Sequence, residues 1–133
     1  MSPGGAALTP DQVQLFLDPN LASLVTLMPD GSPQASPVWI DYRDGLIWVN
    51  TLEGRVKHRN VLRDPRVAVT VVDRGDDNTW VGVTGTVVEI TTDGAEDHID
   101  ELSRKYRGVF PYPDHHPTRS RVLLKIKPEK VTG

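Results

Sequence analysis

The apolar residues of this chain fall in short runs bounded by Gly, Pro, Asn and Asp, a pattern that predicts β-strands. Turn residues at Pro29–Gly31 and Asp44–Gly45 join the first three runs as neighbouring strands. Pro37 cannot donate to a ladder, so its strand is expected at an edge or a bulge. The predicted strands cover residues 21–28, 33–42, 46–51, 66–72, 80–91 and 120–127.

Helical signals are fewer, and polar segments separate the remaining elements. Thr9 can cap a helix that starts at Pro10, with Gln12 completing a capping box. Pro19 ends that helix because proline disfavours helical geometry in the residue before it. Further helices are predicted over residues 54–63 and 92–106, and polar loops over 73–79 and 108–118.

Strands joined mostly by short turns predict a mainly β fold, an antiparallel sheet closed into a small barrel. The 133 residues fit one domain, which we assign to residues 1–133, with residues 1–8 expected to be flexible. The absence of cysteine excludes disulfide scaffolds, thiol redox chemistry and thiolate metal sites. The net charge of −3 argues against nucleic-acid binding. Neither a membrane span nor a signal peptide is recognisable, so a cytoplasmic protein is expected.

Positive charge is concentrated in one segment of this acidic chain. Between Glu53 and Arg66 lie five cations and two anions, a local net charge of +3 that leaves −6 for the remainder. A solvated helix face and an anion site both explain such a run. Arg55, Lys57 and Arg59 would fall in the first turn of the predicted helix, where cations are unfavourable to the helix itself. An anion such as phosphate at the helix N-terminus would compensate for that cost.

The other residue patterns give weaker evidence of a functional site. No G-x-G-x-x-G, P-loop, nucleophile elbow or H-E-x-x-H motif occurs. The four His residues lack ligand spacing, so no metal site is predicted, and no catalytic residue is assigned. Gln34 and Ser36 share one strand face and could present polar contacts beside the anion site. Trp80 could line a flat heterocycle or fill a core, whereas Trp39 and Trp48 are expected in the core.

The run EGRVKHRNVLRDPRVAV (residues 53–69) resembles the flavin and deazaflavin oxidoreductases of the split β-barrel class, small relatives of pyridoxamine-phosphate oxidase. Supporting matches are LMPDGSPQASPVW (27–39), GVTGTVVEI (82–90) and RVLLKIKPEKV (121–131). The resemblance spans residues 8–132 and implies an FMN-binding type of split barrel with six to seven antiparallel strands. Within the class, the sequence is most similar to the branch that uses the 8-hydroxy-5-deazaflavin coenzyme F420.

This resemblance implies a homodimer with two cofactor sites at the subunit interface. Arg55, Lys57 and Asn60 would hold the phosphate and the polyglutamate tail of F420. The deazaflavin and its ribityl chain would be bordered by Gln34, Ser36, Asn50 and Thr51. Trp80, Val81 and Gly82 would line the pocket from the partner subunit.

The implied activity is hydride transfer from reduced F420 to a small unsaturated or quinone-like acceptor, with the cofactor carrying the difficult step. Water or a side chain such as Tyr112 or His115 could supply a proton. Two alternatives stay open: an FMN-dependent oxidoreductase or oxidase on the same fold, and a cofactor-binding protein without turnover. The loop at 108–118 has no recognisable pattern, so the acceptor is not named.

Overall fold

The computed structural model describes residues 7–133, which form three helices and seven strands. The expected flexibility of residues 1–8 falls mainly outside the described residues. The helices are α1 (Pro10–Leu17), α2 (Val56–Arg63) and α3 (Ala95–Arg107). The strands are β1 (Ala22–Leu27), β2 (Pro33–Val38), β3 (Ile40–Arg43), β4 (Leu46–Leu52), β5 (Arg66–Asp73), β6 (Asp76–Thr91) and β7 (Arg121–Thr132).

All strand pairs are antiparallel, and the strand order is β2-β1-β5-β6-β7-β4-β3. Strands β2 and β3 lie at opposite ends of this order, yet Trp39 alone separates them in the chain. The sheet must therefore curl until its two edges meet at Trp39. The result is the predicted split β-barrel, and Pro37 lies in an edge strand as expected.

Three predicted boundaries were wrong. The strand expected over residues 33–42 breaks at Trp39, where the chain passes from one sheet edge to the other. The loop expected over 73–79 is a tight turn, because Asp73 pairs with Asp76 and β6 begins there. The final strand does not stop at Lys127 but continues to Thr132.

The extension of β7 past Pro128 depends on a glycine in the neighbouring strand. Pro128 pairs with Gly85 where the register of β6 against β7 shifts. A Cβ atom on Gly85 would lie 2.2 Å from the carbonyl oxygen of Lys127, so only glycine permits this approach. The bulge accommodates a proline that has no amide to donate to the ladder.

Alternating apolar side chains of the strands fill the barrel. In β5 and β6 the buried positions are every second residue, as the period of a strand requires. Helix α1 starts with the predicted capping box between Thr9 and Gln12, and it buries Phe16 against this core. The fully buried core side chains include Leu24, Ile40, Ile47, Val49, Val69, Val71, Val81, Leu124 and Ile126.

Side chains of helix α3 form hydrogen bonds with the backbone at the split of the barrel. The Tyr106 hydroxyl accepts from the amide of Ile40 at 3.0 Å and donates to the carbonyl of Asn20 at 2.7 Å. Burial raises the pKa of Tyr106 to about 12, so it stays protonated as a donor. Lys105 Nζ lies 2.6 Å from the carbonyl oxygens of both Phe16 and Ile40. No helix among residues 7–133 has the length and apolarity to cross a membrane.

Candidate functional site

A pocket of about 580 Å³ opens where the split of the barrel meets helices α2 and α3. Its volume lies in the range of small-molecule and cofactor sites. The segment through Trp39, strand β4, the start of α2, α3 and the loop before β7 all contribute. Its lining residues are Leu21, Pro37, Val38, Trp39, Asn50, Thr51, Arg55, Lys57, Ile99, Arg107, Tyr112 and Arg121. Four of these are cations, and none is a carboxylate.

Within the part of the chain that the structure describes, these four cationic side chains have no ion-pair partner, although the Glu96 carboxylate accepts from the backbone amide of Arg121 at 2.7 Å. None of Arg55, Lys57, Arg107 and Arg121 forms a salt bridge with a carboxylate of the described residues. Burial lowers the pKa of Lys57, and the charges of Arg55 and Arg121 lower it further. Like charges held together in a partly desolvated pocket favour the binding of an anion.

The start of helix α2 adds to this positive potential. Arg55 occupies the N-cap and offers no side-chain acceptor to the amides of the first turn. Before it, the amide of Gly54 donates to His58 Nδ1 at 3.0 Å, which fixes the connection from β4 to α2. Gly54 itself has a φ of +87°, a conformation that favours glycine. The first turn therefore presents free amides, the positive end of the helix dipole and two cationic side chains together.

Two polar atoms in the pocket residues are buried without a hydrogen-bond partner among the described residues: Asn50 Oδ1 and Arg121 Nε. Ser36 Oγ, in the adjacent edge strand, is in the same condition. Buried polar atoms are almost always paired in folded proteins. A ligand with an anionic group and a hydrogen-bond donor would satisfy the two pocket atoms, so the residues present fit a phosphorylated cofactor.

Aromatic rings form one wall of the pocket. Trp39 stacks on Tyr106 with ring centres 5.2 Å apart, and Tyr112 meets Trp39 edge-on at 6.1 Å. The guanidinium of Arg107 lies 4.8 Å from the centre of the Trp39 ring, and that of Arg121 lies 5.2 Å from Tyr112. The expectation that Trp39 packs in the core is wrong, because it is half-buried and lines the pocket.

The sequence of residues 8–133 matches the family model described as pyridoxamine 5'-phosphate oxidase. The chain belongs to this family. The fold of the pyridoxamine 5'-phosphate oxidase family binds flavin-type cofactors such as FMN, and it is an oxidoreductase fold. The cationic pocket thus lies in a chain whose family carries phosphorylated cofactors.

Solved structures support the assignment to the oxidase family. A protein named F420 reductase is 25% identical, with a TM-score of 0.83 over 94% of this chain and 98% of its own. A Lactobacillus delbrueckii protein described as a candidate pyridoxamine 5'-phosphate oxidase is 26% identical, with a TM-score of 0.63 over 95% and 93%. General stress protein 26 of Bacillus anthracis, 20% identical with a TM-score of 0.68 over 91% and 88%, shares the fold.

The predicted site residues of this family member divide into three groups. Asn50, Thr51, Arg55 and Lys57 line the cationic pocket. The second group comprises Gln34 and Ser36 of the edge strand β2 and Asn60 of α2. The hydroxyl of Thr26 lies 3.4 Å from Gln34 Oε1. Neither Gln34 nor Ser36 lines the pocket of the single chain.

Asn60, also of this second group, is held inside the protein. It is 2% exposed, and its Nδ2 donates to Thr26 Oγ1 at 2.9 Å and lies 3.4 Å from Met28 Sδ. Its Oδ1 accepts from Arg63 at 3.1 Å. These contacts join α2 to β1, so Asn60 shapes the site by fixing the helix that carries Arg55 and Lys57.

The third group belongs to strand β6 and does not line the cationic pocket; Trp80 and Gly82 lie on the outer face of the sheet. Trp80 is 43% exposed, and with Gly82 it lines a groove of about 300 Å³. A Cβ atom on Gly82 would lie 3.3 Å from the Trp80 ring, so glycine lets the indole lie across the strand. Val81 points to the opposite face and is fully buried in the core.

Sequence reasoning did not find Arg107, Arg121 and Trp39 as pocket residues. Arg121 opens the last strand and Arg107 ends α3, and both are brought to the pocket by pairings between distant segments. The only sequence signal for the two arginines is that neither has an oppositely charged neighbour at helical or strand spacing. Tyr112, considered as a proton source, does line the pocket.

His115, the other suggested proton source, does not line the pocket. Its Nδ1 lies 2.8 Å from Glu96 Oε1, and its Nε2 lies 2.6 Å from Asp100 Oδ1. The hydrogen bond to Asp100, with that to Glu96, raises the pKa of His115 against the effect of burial. Among the described residues no three His, Cys, Asp or Glu side chains are grouped to hold a metal ion.

Proposed function

We propose that this protein is an F420-dependent oxidoreductase that transfers a hydride from the reduced coenzyme to a small unsaturated or quinone-like acceptor. The observation that carries the proposal is the pocket of four cations whose side chains form no salt bridge within residues 7–133. One phosphate requires less positive charge than this. The phosphate and carboxylate-rich tail of F420 matches it better, and the similarity to a protein named F420 reductase supports the same choice.

The residues have distinct roles in this proposal. Arg55, Lys57 and the free amides of α2 bind the phosphate, and Arg121 adds a third cation beside them. Asn50 and Thr51 on β4 border the ring and the ribityl chain. When bound, the deazaflavin supplies the hydride chemistry, and the protein supplies orientation and a partly water-free site. Tyr112, which lines the pocket, would close the acceptor side.

A homodimer is part of the proposal, because Trp80 and Gly82 do not reach the pocket of their own chain. Trp80 pairs across strands with Val72, and both side chains are exposed. This apolar pair lies on the outer sheet face, where a second copy would cover it. Trp80 and Gly82 would then border the pocket of the partner, with Gln34 and Ser36 at its edge, whereas the side chain of Val81 stays in the core of its own chain.

FMN is the second candidate cofactor, because the family fold binds flavin-type cofactors and because Arg55 and Lys57 would suffice for one phosphate. The two candidates differ in the tail. An FMN enzyme has no need of the additional charges of Arg107 and Arg121, whereas an F420 enzyme uses them.

Titration with F420, FMN and FAD, followed by fluorescence, separates these candidates. We expect F420 to bind most tightly and Lys57→Glu to weaken it by about a hundredfold or more, because the change replaces an attraction with a repulsion. Arg74→Glu makes the same change of charge in the exposed turn between β5 and β6, and it should leave the affinity nearly unchanged. Tight FMN binding without F420 binding would overturn the choice of F420.

Turnover is tested separately from binding. Reduced F420 is mixed with the protein and a panel of quinones and enones, and its oxidation is followed by the return of deazaflavin absorbance. We expect consumption with at least one acceptor. If F420 binds but no acceptor in the panel oxidises its reduced form, the protein is a carrier rather than an enzyme.

A further inference from the structure

A buried chain of hydrogen bonds runs from the pocket into the protein through Asn50, His98 and Asp41. His98 Nε2 lies 3.0 Å from Asp41 Oδ2, and His98 Nδ1 lies 3.3 Å from Asn50 Nδ2. Asn50 Nδ2 also donates to the carbonyl of Ala95 at 2.8 Å. His98 is 2% exposed and does not line the pocket, so a direct role toward a ligand is excluded.

Asp41 determines which nitrogen of His98 carries the proton. Burial opposes ionisation of Asp41, but hydrogen bonds from His98 and from the Tyr42 amide, with the charge of Arg43, lower its pKa overall. An ionised carboxylate can only accept, so His98 Nε2 must donate to it. In the neutral imidazole, Nδ1 is then the acceptor.

The acceptor at His98 Nδ1 in turn fixes the Asn50 carboxamide. One hydrogen of Nδ2 is directed at the Ala95 carbonyl and the other at His98 Nδ1. The reversed amide would place Oδ1 against a carbonyl oxygen and against an imidazole lone pair, and both contacts are repulsive. Oδ1 is therefore left over, buried and without a partner in the described part of the chain, in a residue that lines the pocket.

We propose that His98 is a positioning residue that, held by Asp41, orients Asn50 so that its Oδ1 is presented to the pocket as an acceptor for an N–H or O–H group of the bound cofactor. The inference rests on the proposed function for the identity of that cofactor. The orientation of the amide is a property of the free protein.

The first arm of the test is nitrogen-15 NMR of the ligand-free protein. We expect His98 to show an unprotonated Nδ1 and a protonated Nε2, and the Asn50 side-chain amide to change its shift in His98→Gln. A protonated Nδ1, or an Asn50 amide insensitive to His98→Gln, would overturn the proposal. This arm decides the orientation even if neither F420 nor FMN binds, which would refute the proposed function alone.

The second arm is a double-mutant cycle on the affinities for F420 and FMN. His98→Gln keeps a donor for Asp41 but loses the acceptor for Asn50, so about tenfold weaker binding is expected. His98→Asn places a carboxamide oxygen near the position of Nδ1 and should restore most of the affinity. In an Asn50→Ala background, His98→Gln should cause no further loss. Additive losses would mean that His98 acts on stability and not through Asn50.

Leu102→Val is the matched control, because it loosens a buried position of the same helix without touching Asn50. Its affinity should stay within about twofold of the unchanged protein. Comparing FMN with its N3-methyl derivative identifies the donor. If the ring imide donates to Asn50, the methylated cofactor loses its sensitivity to Asn50→Ala, and if a ribityl hydroxyl donates, that sensitivity remains.

Discussion

Replacing Arg121 by methionine should make the free protein more stable and its cofactor binding weaker. Methionine keeps most of the apolar stem while removing the charge and the buried Nε, for which residues 7–133 offer no partner. The charge of Arg121 also acts on Lys57, whose pKa it helps to lower. The substitution therefore removes an unfavourable arrangement that a bound anion would turn into a favourable one.

Three contributions set the expected change in the stability of the free protein on Arg121→Met. An unsatisfied buried polar group costs about 1–3 kcal/mol, and relief of the repulsion with Lys57 adds to that gain. Loss of the guanidinium 5.2 Å from the Tyr112 ring costs about 0.5–1 kcal/mol. The net expectation is a free protein about 1 kcal/mol more stable, which raises Tm by about 3 °C for a chain of this size. A lost charge-assisted bond weakens binding by roughly tenfold to a hundredfold.

Calorimetry measures both quantities, Tm in the absence of ligand and the affinity for F420 and FMN in its presence. Nitrogen-15 NMR of the Lys57 ammonium group should also show its pKa rise in Arg121→Met. Arg119→Met, an exposed cation outside the pocket, is the control and should change neither value appreciably. A variant with a lower Tm and unchanged affinities would show that Arg121 is structural, and the reasoning about uncompensated charge would be refuted.

Gly85→Ala should lower the free energy of unfolding by about 3 kcal/mol in urea titration, because its Cβ would lie 2.2 Å from a carbonyl oxygen, whereas Gly75→Ala has room and should cost little. His115 has a folded pKa raised above 6.5, so its contribution is present below that pH and is lost as pH rises through the folded pKa. The free energy of unfolding measured in urea should therefore fall slightly on alkalinisation, and His115→Gln should abolish that change. Trp80→Glu should yield monomers by light scattering while Leu62→Glu should not, and an intact Trp80→Glu dimer would contradict the proposed interface.

Much of the fold was predictable because local patterns dominate it. The alternation in β5 and the capping box at Thr9 are properties of a few consecutive residues. The failures have a different origin. Trp39 reads as one more strand residue, but it joins the two edges of a curled sheet. The last strand is predicted to stop at residue 127, but Gly85 in another strand accommodates Pro128 and β7 continues.

The distinction between local patterns and contacts between distant segments also explains which site residues were predictable from the sequence. Arg55 and Lys57 lie two residues apart at the start of one helix, so the concentration of positive charge is visible in the sequence. Arg107 and Arg121 reach the pocket only because α3 closes the split and β7 pairs with β4. The orientation of Asn50 is still less local, since it depends on His98 and Asp41 from two other elements.

The uncompensated charge also links folding to binding. Four cations in one pocket oppose the compact state, since no carboxylate of the described residues pairs with them. A ligand that binds only the folded protein adds stability by RT ln(1 + [L]/Kd), about 2.7 kcal/mol at a hundredfold excess over Kd. An anion that binds this pocket therefore stabilises the protein, and the repulsion that it removes is one of the contributions to its Kd. The stability of the protein should depend on phosphate or salt even in the absence of a cofactor, because screening weakens the same repulsion.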